Sequence, residues 1–195
     1  MLPTGHVTDQ LEVPGVGSFE VTLINAGLPT IFVDAKSLGF LGTELQPDIN
    51  TKPDVLARIE KIRNHGAMAM GLAKTPEEAA KTAHTPKVSF VAPSMGYMAS
   101  DGREVKAESI DILARVFSMG PLHHAMTGTG AVAIAAAVAI PGTIPNRLAR
   151  KNPDGRVRFG HPSGTLSVGA EAKEVDGEWV VSKAMMSRSA RRLME

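Results

Sequence analysis

The longest uninterrupted apolar run in the chain is Ala131 to Ile140, and it has no polar face. A helix that is hydrophobic all round is buried on every side. Crossing a bilayer takes about 20 apolar residues, roughly twice what this run offers, so the pattern predicts a core helix of a soluble protein. Its side chains are mostly Ala and Val, small enough for other backbone to approach closely, as it would if a sheet wrapped around the helix. Pro141-Gly142 ends it.

Alternation marks the strands. Phe19 to Ile24 and Thr30 to Val33 carry β-branched residues at period two and are joined by Asn25-Ala26-Gly27-Leu28-Pro29, which suggests a bent hairpin. Lys87 to Ala92 reads as a further strand, and Asp101-Gly102 as a tight turn. Ile110 to Met119 fits both periods; a strand is favoured because it would deliver the chain directly to the glycine turn that follows. Val157–Gly160, Thr165–Ala172 and Glu178–Met186 complete the set, joined by Gly160-His161-Pro162-Ser163-Gly164 and Asp176-Gly177.

Helical spacing marks the surface elements. Thr51-Lys52-Pro53-Asp54 looks like a capped start, with Thr51 as cap. Val55, Ile59, Ile62, Gly66 and Met70 then form one apolar stripe, with Arg58, Glu60, Lys61 and Asn64 on the other face. Thr75-Pro76-Glu77-Glu78 opens a short second helix that stops before Pro86. Leu38–Asn50 and Arg147–Arg156 read as loops, and Leu2–Gly17, rich in Pro and Gly, resembles the interior of a longer chain.

Composition narrows the class. With 195 residues, 43% hydrophobic and 21% charged, the chain suits one ordinary domain or two small ones. The 21 basic and 20 acidic residues form no basic block in the body, so there is no electrostatic footprint for nucleic acid. Arg188, Arg191 and Arg192 are expected to be a solvated strand edge. Zero Cys removes disulfides, thiolate chemistry and cysteine metal sites from these residues, and is compatible with a cytoplasmic location. No signal peptide or membrane span is recognisable.

Candidate chemistry centres on Thr127-Gly128-Thr129-Gly130, just before the apolar run. Glycines there leave backbone N–H groups pointing outward at a helix N-terminus, a ready anion site. The other reading is an ordinary buried helix with a flexible lead-in. No Lys follows the glycines, so a nucleotide phosphate loop is excluded, and the dinucleotide fingerprint fails on spacing. A carboxylate or phosphate cradle of amides survives, assisted by the Thr127 and Thr129 hydroxyls. Asn25 could hydrogen-bond a ligand or serve only its own turn. His123 and His124, if on a strand, would point to opposite faces and could not easily share a metal. The six His show no metal-ligand spacing.

Several motifs occurring in order carry a family resemblance: Asn25 to Val33, Ser118-Met119-Gly120-Pro121-Leu122-His123-His124-Ala125-Met126, Pro141-Gly142-Thr143, and Gly160 to Gly164. Over essentially its whole length the chain resembles the second half of the 2-methylaconitate cis–trans isomerase family, in the wider diaminopimelate-epimerase-like group. The resemblance implies an α+β fold, a mixed or antiparallel sheet rolled around one central apolar helix with one or two surface helices, and an active site in the cleft between two such halves. Residues 1–195 would be the single C-terminal half. The epimerases place a catalytic Cys before the central helix; the matching position here is Thr127. Thr cannot act as a thiolate acid or base, which agrees with the isomerase branch, whose Lys and Cys lie in the first half. The chain itself offers no Cys and no residue matching that Lys.

The reading that follows is proton transfer on 2-methylaconitate or a similar tricarboxylate, in the methylcitrate route of propionate breakdown, without cofactor or metal. This half would hold substrate carboxylates with Thr127, Gly128, Thr129, Gly130, Ser118, His124 and Asn25. It would contribute no catalytic residue and would be inactive alone. Implied partners are the N-terminal half and an aconitase-like dehydratase. The rival readings are half of an amino-acid racemase or epimerase, and a non-catalytic anion-binding or accessory module.

Overall fold

Ten strands and five α-helices follow in blocks, three strands, three helices, four strands, two helices and three strands, along the residues described by the computed structural model, 1–152 and 154–187. The strands are β1 (Asp9–Val13), β2 (Gly17–Ala26), β3 (Leu28–Asp34), β4 (Lys87–Pro93), β5 (Tyr97–Met98), β6 (Glu104–Val105), β7 (Ile112–Phe117), β8 (Arg156–His161), β9 (Gly164–Val175) and β10 (Glu178–Met186). Eight form one sheet in the order β1-β2-β3-β4-β7-β8-β9-β10, while β5 and β6 pair separately. Neighbours in the large sheet are antiparallel except β3–β4 and β7–β8. The fold is therefore mixed α+β around a large mixed sheet with few helices.

The helices are α1 (Gln46–Asn50), α2 (Pro53–Ala69), α3 (Pro76–Ala80), α4 (Gly128–Ala139) and α5 (Ile144–Leu148). The amphipathic stripe of α2 is seen as expected, but its cap is not Thr51. Lys52 holds the N-cap position without a side-chain bond. Thr51 closes α1, and its hydroxyl donates to the Pro47 carbonyl at 2.8 Å. Thr75 does cap α3, accepting the Glu78 N–H at 3.2 Å. The ambiguous segment is strand β7. Helix α1 occupies a stretch expected as loop, α5 overlaps the start of another, β1 lies in the opening stretch to which no element was assigned, and Arg188, Arg191 and Arg192 lie outside the described residues.

Period-two alternation divides the sheet's side chains between two cores. Val21, Leu23, Ile31, Val33, Val88, Phe90 and Leu113 pack with Ile59, Ile62 and Met70 from the α2 segment. Ile24, Phe32, Val91, Ile112, Ala114, Val157, Phe159 and Val168 pack with the buried alanines and Ile134 of α4. Close approach on the first face depends on Gly66, where a Cβ would stand 2.2 Å from Ile31 Cδ1. On the second face, α4 touches β2 and β3 near one end of the sheet, and also β8, β9 and β10 at the other. None of the described helices is long and apolar enough to cross a membrane.

Candidate functional site

Helix α4 begins three residues earlier than the apolar run, so the glycine motif is its first turn rather than a turn ahead of it. Thr127 is the N-cap, and its Oγ1 accepts the Gly130 N–H at 3.1 Å. Gly130 is required by that cap, since a Cβ there would stand 2.7 Å from Thr127 Oγ1. The expected cradle is accordingly narrower. Gly130 is buried and its amide is occupied, whereas the Gly128 and Thr129 N–H groups have no acceptor among the described residues. Thr127 keeps its own hydroxyl proton to donate, and Thr129 is exposed.

The turn between β2 and β3 comes against this helix end. Gly27 has φ +76°, and a Cβ there would meet Val132 Cγ1 at 3.4 Å and the Thr129 carbonyl oxygen at 3.6 Å. Asn25, expected in that turn, belongs instead to strand β2, where it pairs with Pro29, and alternation sets its side chain on the α2 face. There it lines a shallow depression with Met1, Pro3, Met70 and Leu72, and its N–H donates to the Met1 carbonyl at 2.9 Å. The structure thus separates the Asn25 side chain from Thr127, Gly128 and Thr129.

Ser118 follows β7 in a loop with two positive-φ residues, Met119 and Gly120. The Ser118 N–H donates to the Pro121 carbonyl at 3.0 Å, and Leu122 bridges back to Phe117. The Ser118 Oγ accepts a 2.6 Å hydrogen bond from Lys87 Nζ. Lys87 opens β4 and is only 8% exposed. Burial, with a smaller contribution from the nearby Arg63 guanidinium, holds its ammonium below the usual lysine range. Sequence reasoning missed Lys87; the available signal was an ionisable residue opening an otherwise apolar strand.

His123 and His124 are not on a strand. Their rings stack at 4.5 Å with 23° between planes, in the loop that leads to α4. His123 Nδ1 lies 2.9 Å from the Ala125 carbonyl oxygen. His124 is exposed, and its carbonyl accepts the Ser163 hydroxyl. That bond ties the β8–β9 turn to the loop. The turn is braced from below by Tyr97, whose hydroxyl lies 2.7 Å and 2.6 Å from the His161 and Gly164 carbonyls. Fully buried Arg115 lies 4.9 Å over the Tyr97 ring and donates to the Gly160 carbonyl at 3.1 Å. Burial lowers the Arg115 guanidinium to about 10, which leaves it charged at neutral pH. Burial first, and Arg115 second, push His161 down to about 4, so this imidazole is neutral.

The arrangement is rich in donors and poor in acids: two free amides and a hydroxyl at α4, and an ammonium–hydroxyl pair where β4 begins and β7 ends. Such groups bind anions, carboxylates among them. Among the described residues, no cluster of three or more His, Cys, Asp or Glu is placed to hold a metal ion.

Known proteins share both sequence and shape with this chain. The 2-methyl-aconitate isomerases of Shewanella oneidensis and Cupriavidus necator are each 59% identical over 195 residues, which is 100% of this chain and 49% of theirs. The 3-methylitaconate isomerase of Eubacterium barkeri is 37% identical over 198 residues, covering 51% of its length. A crystal structure of methylitaconate-delta-isomerase superposes with a TM-score of 0.88 at 35% identity, over 99% of this chain and 49% of that one. The chain spans about half the length of the curated relatives it matches. The model of the PrpF protein family matches from residue 1 to residue 195, and with these isomerases aligned along its whole length the chain belongs to that family.

Proposed function

We propose that this chain is the carboxylate-holding second half of an isomerase that moves protons within 2-methylaconitate or a closely similar tricarboxylate. The observation that carries the reading is 59% identity, unbroken over the chain, to two 2-methyl-aconitate isomerases about twice as long. The donor-rich end of α4 supports the role given to this half. Gly128 and Thr129 amides with the Thr127 hydroxyl would receive one substrate carboxylate, and Ser118 another; His124, exposed beside them, would border the cleft.

In the complete protein, a base in the first half removes a proton from the carbon beside the double bond. The resulting allylic anion is delocalised into a conjugated carboxylate, and the proton returns at another carbon of the system. Preorganised donors on that carboxylate stabilise the charge as it develops, which is where such donors contribute most. Thr127 fits holding rather than reacting, because its hydroxyl is already the helix cap and is far too weak an acid to exchange protons at carbon. The same consideration disfavours a racemase with one acid/base on each half.

The fold reading that accompanies this is a sheet rolled around α4. Contacts from α4 to β2 and β3 as well as to β8, β9 and β10 support it, because a flat sheet would spread those strands too far apart to meet one helix. The active-site cleft would then lie between the α4 N-terminus and the corresponding end of the first half. The methylcitrate route of propionate breakdown is the setting in which such an isomerase would act.

Activity of the intact two-half protein on 2-methylaconitate tests the assignment, with interconversion expected. The 195-residue chain alone is expected to leave substrate protons unexchanged in D2O. Deuterium incorporation by the chain alone would overturn the division of labour.

A further inference from the structure

Lys87 has an unusual setting for a lysine. Lysines are almost never fully buried unless paired, yet this one is 8% exposed, and no carboxylate oxygen among the described residues lies within 4.0 Å of its Nζ. Its partner is neutral, the Ser118 hydroxyl at 2.6 Å, and the charge it feels most is a second cation, Arg63. Arg63 is already engaged by Glu60 at 2.6 Å and by the Ala79, Thr82 and Thr85 carbonyls. The ammonium therefore stands with its positive charge uncompensated.

Its position in the sheet is equally specific. Lys87 pairs with Thr30 on β3, and the next residue, Val88, pairs with Phe117 on β7. Alternation puts Lys87 on the same face as Ser89 and Val91, and Val91 belongs to the core packed on α4. Thr30 lies three residues beyond Gly27, whose turn abuts Thr129. Lys87, Ser118 and the α4 N-terminus thus share one face and one end of the sheet.

The hydrogen bond itself is directional. Lys87 donates to Ser118 Oγ, so the serine proton is free to point elsewhere, and the ammonium keeps two further N–H donors. Two donors side by side, one of them charged, match the two oxygens of a single carboxylate.

We propose that Lys87 and Ser118 together form a charged carboxylate subsite, with Lys87 supplying the counter-ion that the substrate brings and the protein omits. The proposal rests on the isomerase reading for the identity of the ligand, a tricarboxylate. It adds a residue that the expected site of amides and hydroxyls did not contain. Leaving the ammonium without a protein acid keeps the subsite strongly attractive to an anion when empty.

The probe is tricarballylate, a saturated tricarboxylate, with acetate as the monocarboxylate arm, and the readout is the NMR signal of the Lys87 side chain in the full chain labelled at lysine. Addition of tricarballylate is expected to shift that signal and raise its titration midpoint, and Ser118→Ala is expected to weaken the response. Lys87→Met is expected to reduce tricarballylate affinity by about tenfold or more, the scale of a lost charge-assisted hydrogen bond; Lys87→Arg should retain part of it. A Lys87 signal unmoved by saturating tricarballylate would overturn the subsite. An intact protein without isomerase activity whose Lys87 still responds would remove the isomerase reading and keep the subsite. An active isomerase whose KM is unchanged by Lys87→Met would do the reverse.

Discussion

The Asn50 side-chain amide satisfies both backbone groups of Leu122, accepting its N–H at 2.8 Å and donating to its carbonyl at 3.1 Å. Residues 72 apart in sequence are thereby joined as two strands would be. The contact fixes the loop that carries Ser118. Asn50→Ala should cost about 1–3 kcal/mol, the penalty for stranding buried backbone groups. Asn50→Asp can still accept but not donate, so it should fall between. Thermal unfolding reads the stability, and hydrogen exchange at Leu122 should accelerate in Asn50→Ala but much less in Asn50→Asp, which keeps an acceptor for that N–H.

Thr127 and Gly130 act as one device, because the hydroxyl needs the space that a Cβ on Gly130 would fill. Thr127→Val should lose about 1 kcal/mol by removing the cap, while Thr127→Ser should keep most of it. Gly130→Ala is expected to lose the cap as well, although alanine is the better helix former. A melt in which Gly130→Ala equals or exceeds the native stability would contradict the cap geometry.

Acid should destabilise the fold in two separable steps. His161 falls from 6.5 to about 4, chiefly through burial and then through Arg115. Its neutral form therefore contributes stability that is complete above pH 6.5 and is lost as pH falls towards 4. Asp111 is 1% exposed; burial pushes its carboxyl up, but donors from Arg158 and Asn152 outweigh this and hold it below 3.8. Its contribution is present above that value and is lost only as pH falls through the lower folded-state value. Urea midpoints measured against pH should flatten between 6.5 and 4 in His161→Asn, and below 4 in Asp111→Asn.

Gly66 lets α2 sit directly on β3. An added Cβ would lie 2.2 Å from Ile31 Cδ1 and 2.9 Å from Ile31 Cγ1. Gly66→Ala is expected to cost about 1–3 kcal/mol from overpacking. Combining it with Ile31→Val, which removes the Cδ1 methyl, should return part of that loss. Strictly additive losses in the double variant would place the strain elsewhere.

Legibility followed the range of the interactions that define each element. Helix α4 and strands β2, β3 and β4 were readable because their apolar periodicity is a local record of what they pack against, whereas β7, buried on both faces, fits both periods and was placed only by the glycine turn it leads to. Strand β1 carries Asp, Gln and Glu within five residues and exists by pairing with β2, so nothing local announces it. The two-residue strands β5 and β6 are shorter than any period. In the site, the Thr127–Gly130 motif was visible, but which amides it leaves free depended on the cap bond. Lys87 looked like an ordinary charged strand end because its burial comes from residues of other strands. The face taken by Asn25 and the stacking of His123 on His124 likewise depend on tertiary geometry.

Two of the first three residues of α4 are glycines, each about 1 kcal/mol less favourable than alanine in a helix. The turn that presents the free amides is consequently the least self-supporting part of an otherwise rigid, alanine-packed rod. Its order is borrowed from the Thr127 cap and from the Gly27 turn leaning on Thr129. Amide protons of Ala131 and Val132 should therefore exchange faster than those of Ala135 and Ala136. An anion seated on Gly128 and Thr129 should close that gap, so occupancy of the helix end would be recorded as slowed exchange one turn further in.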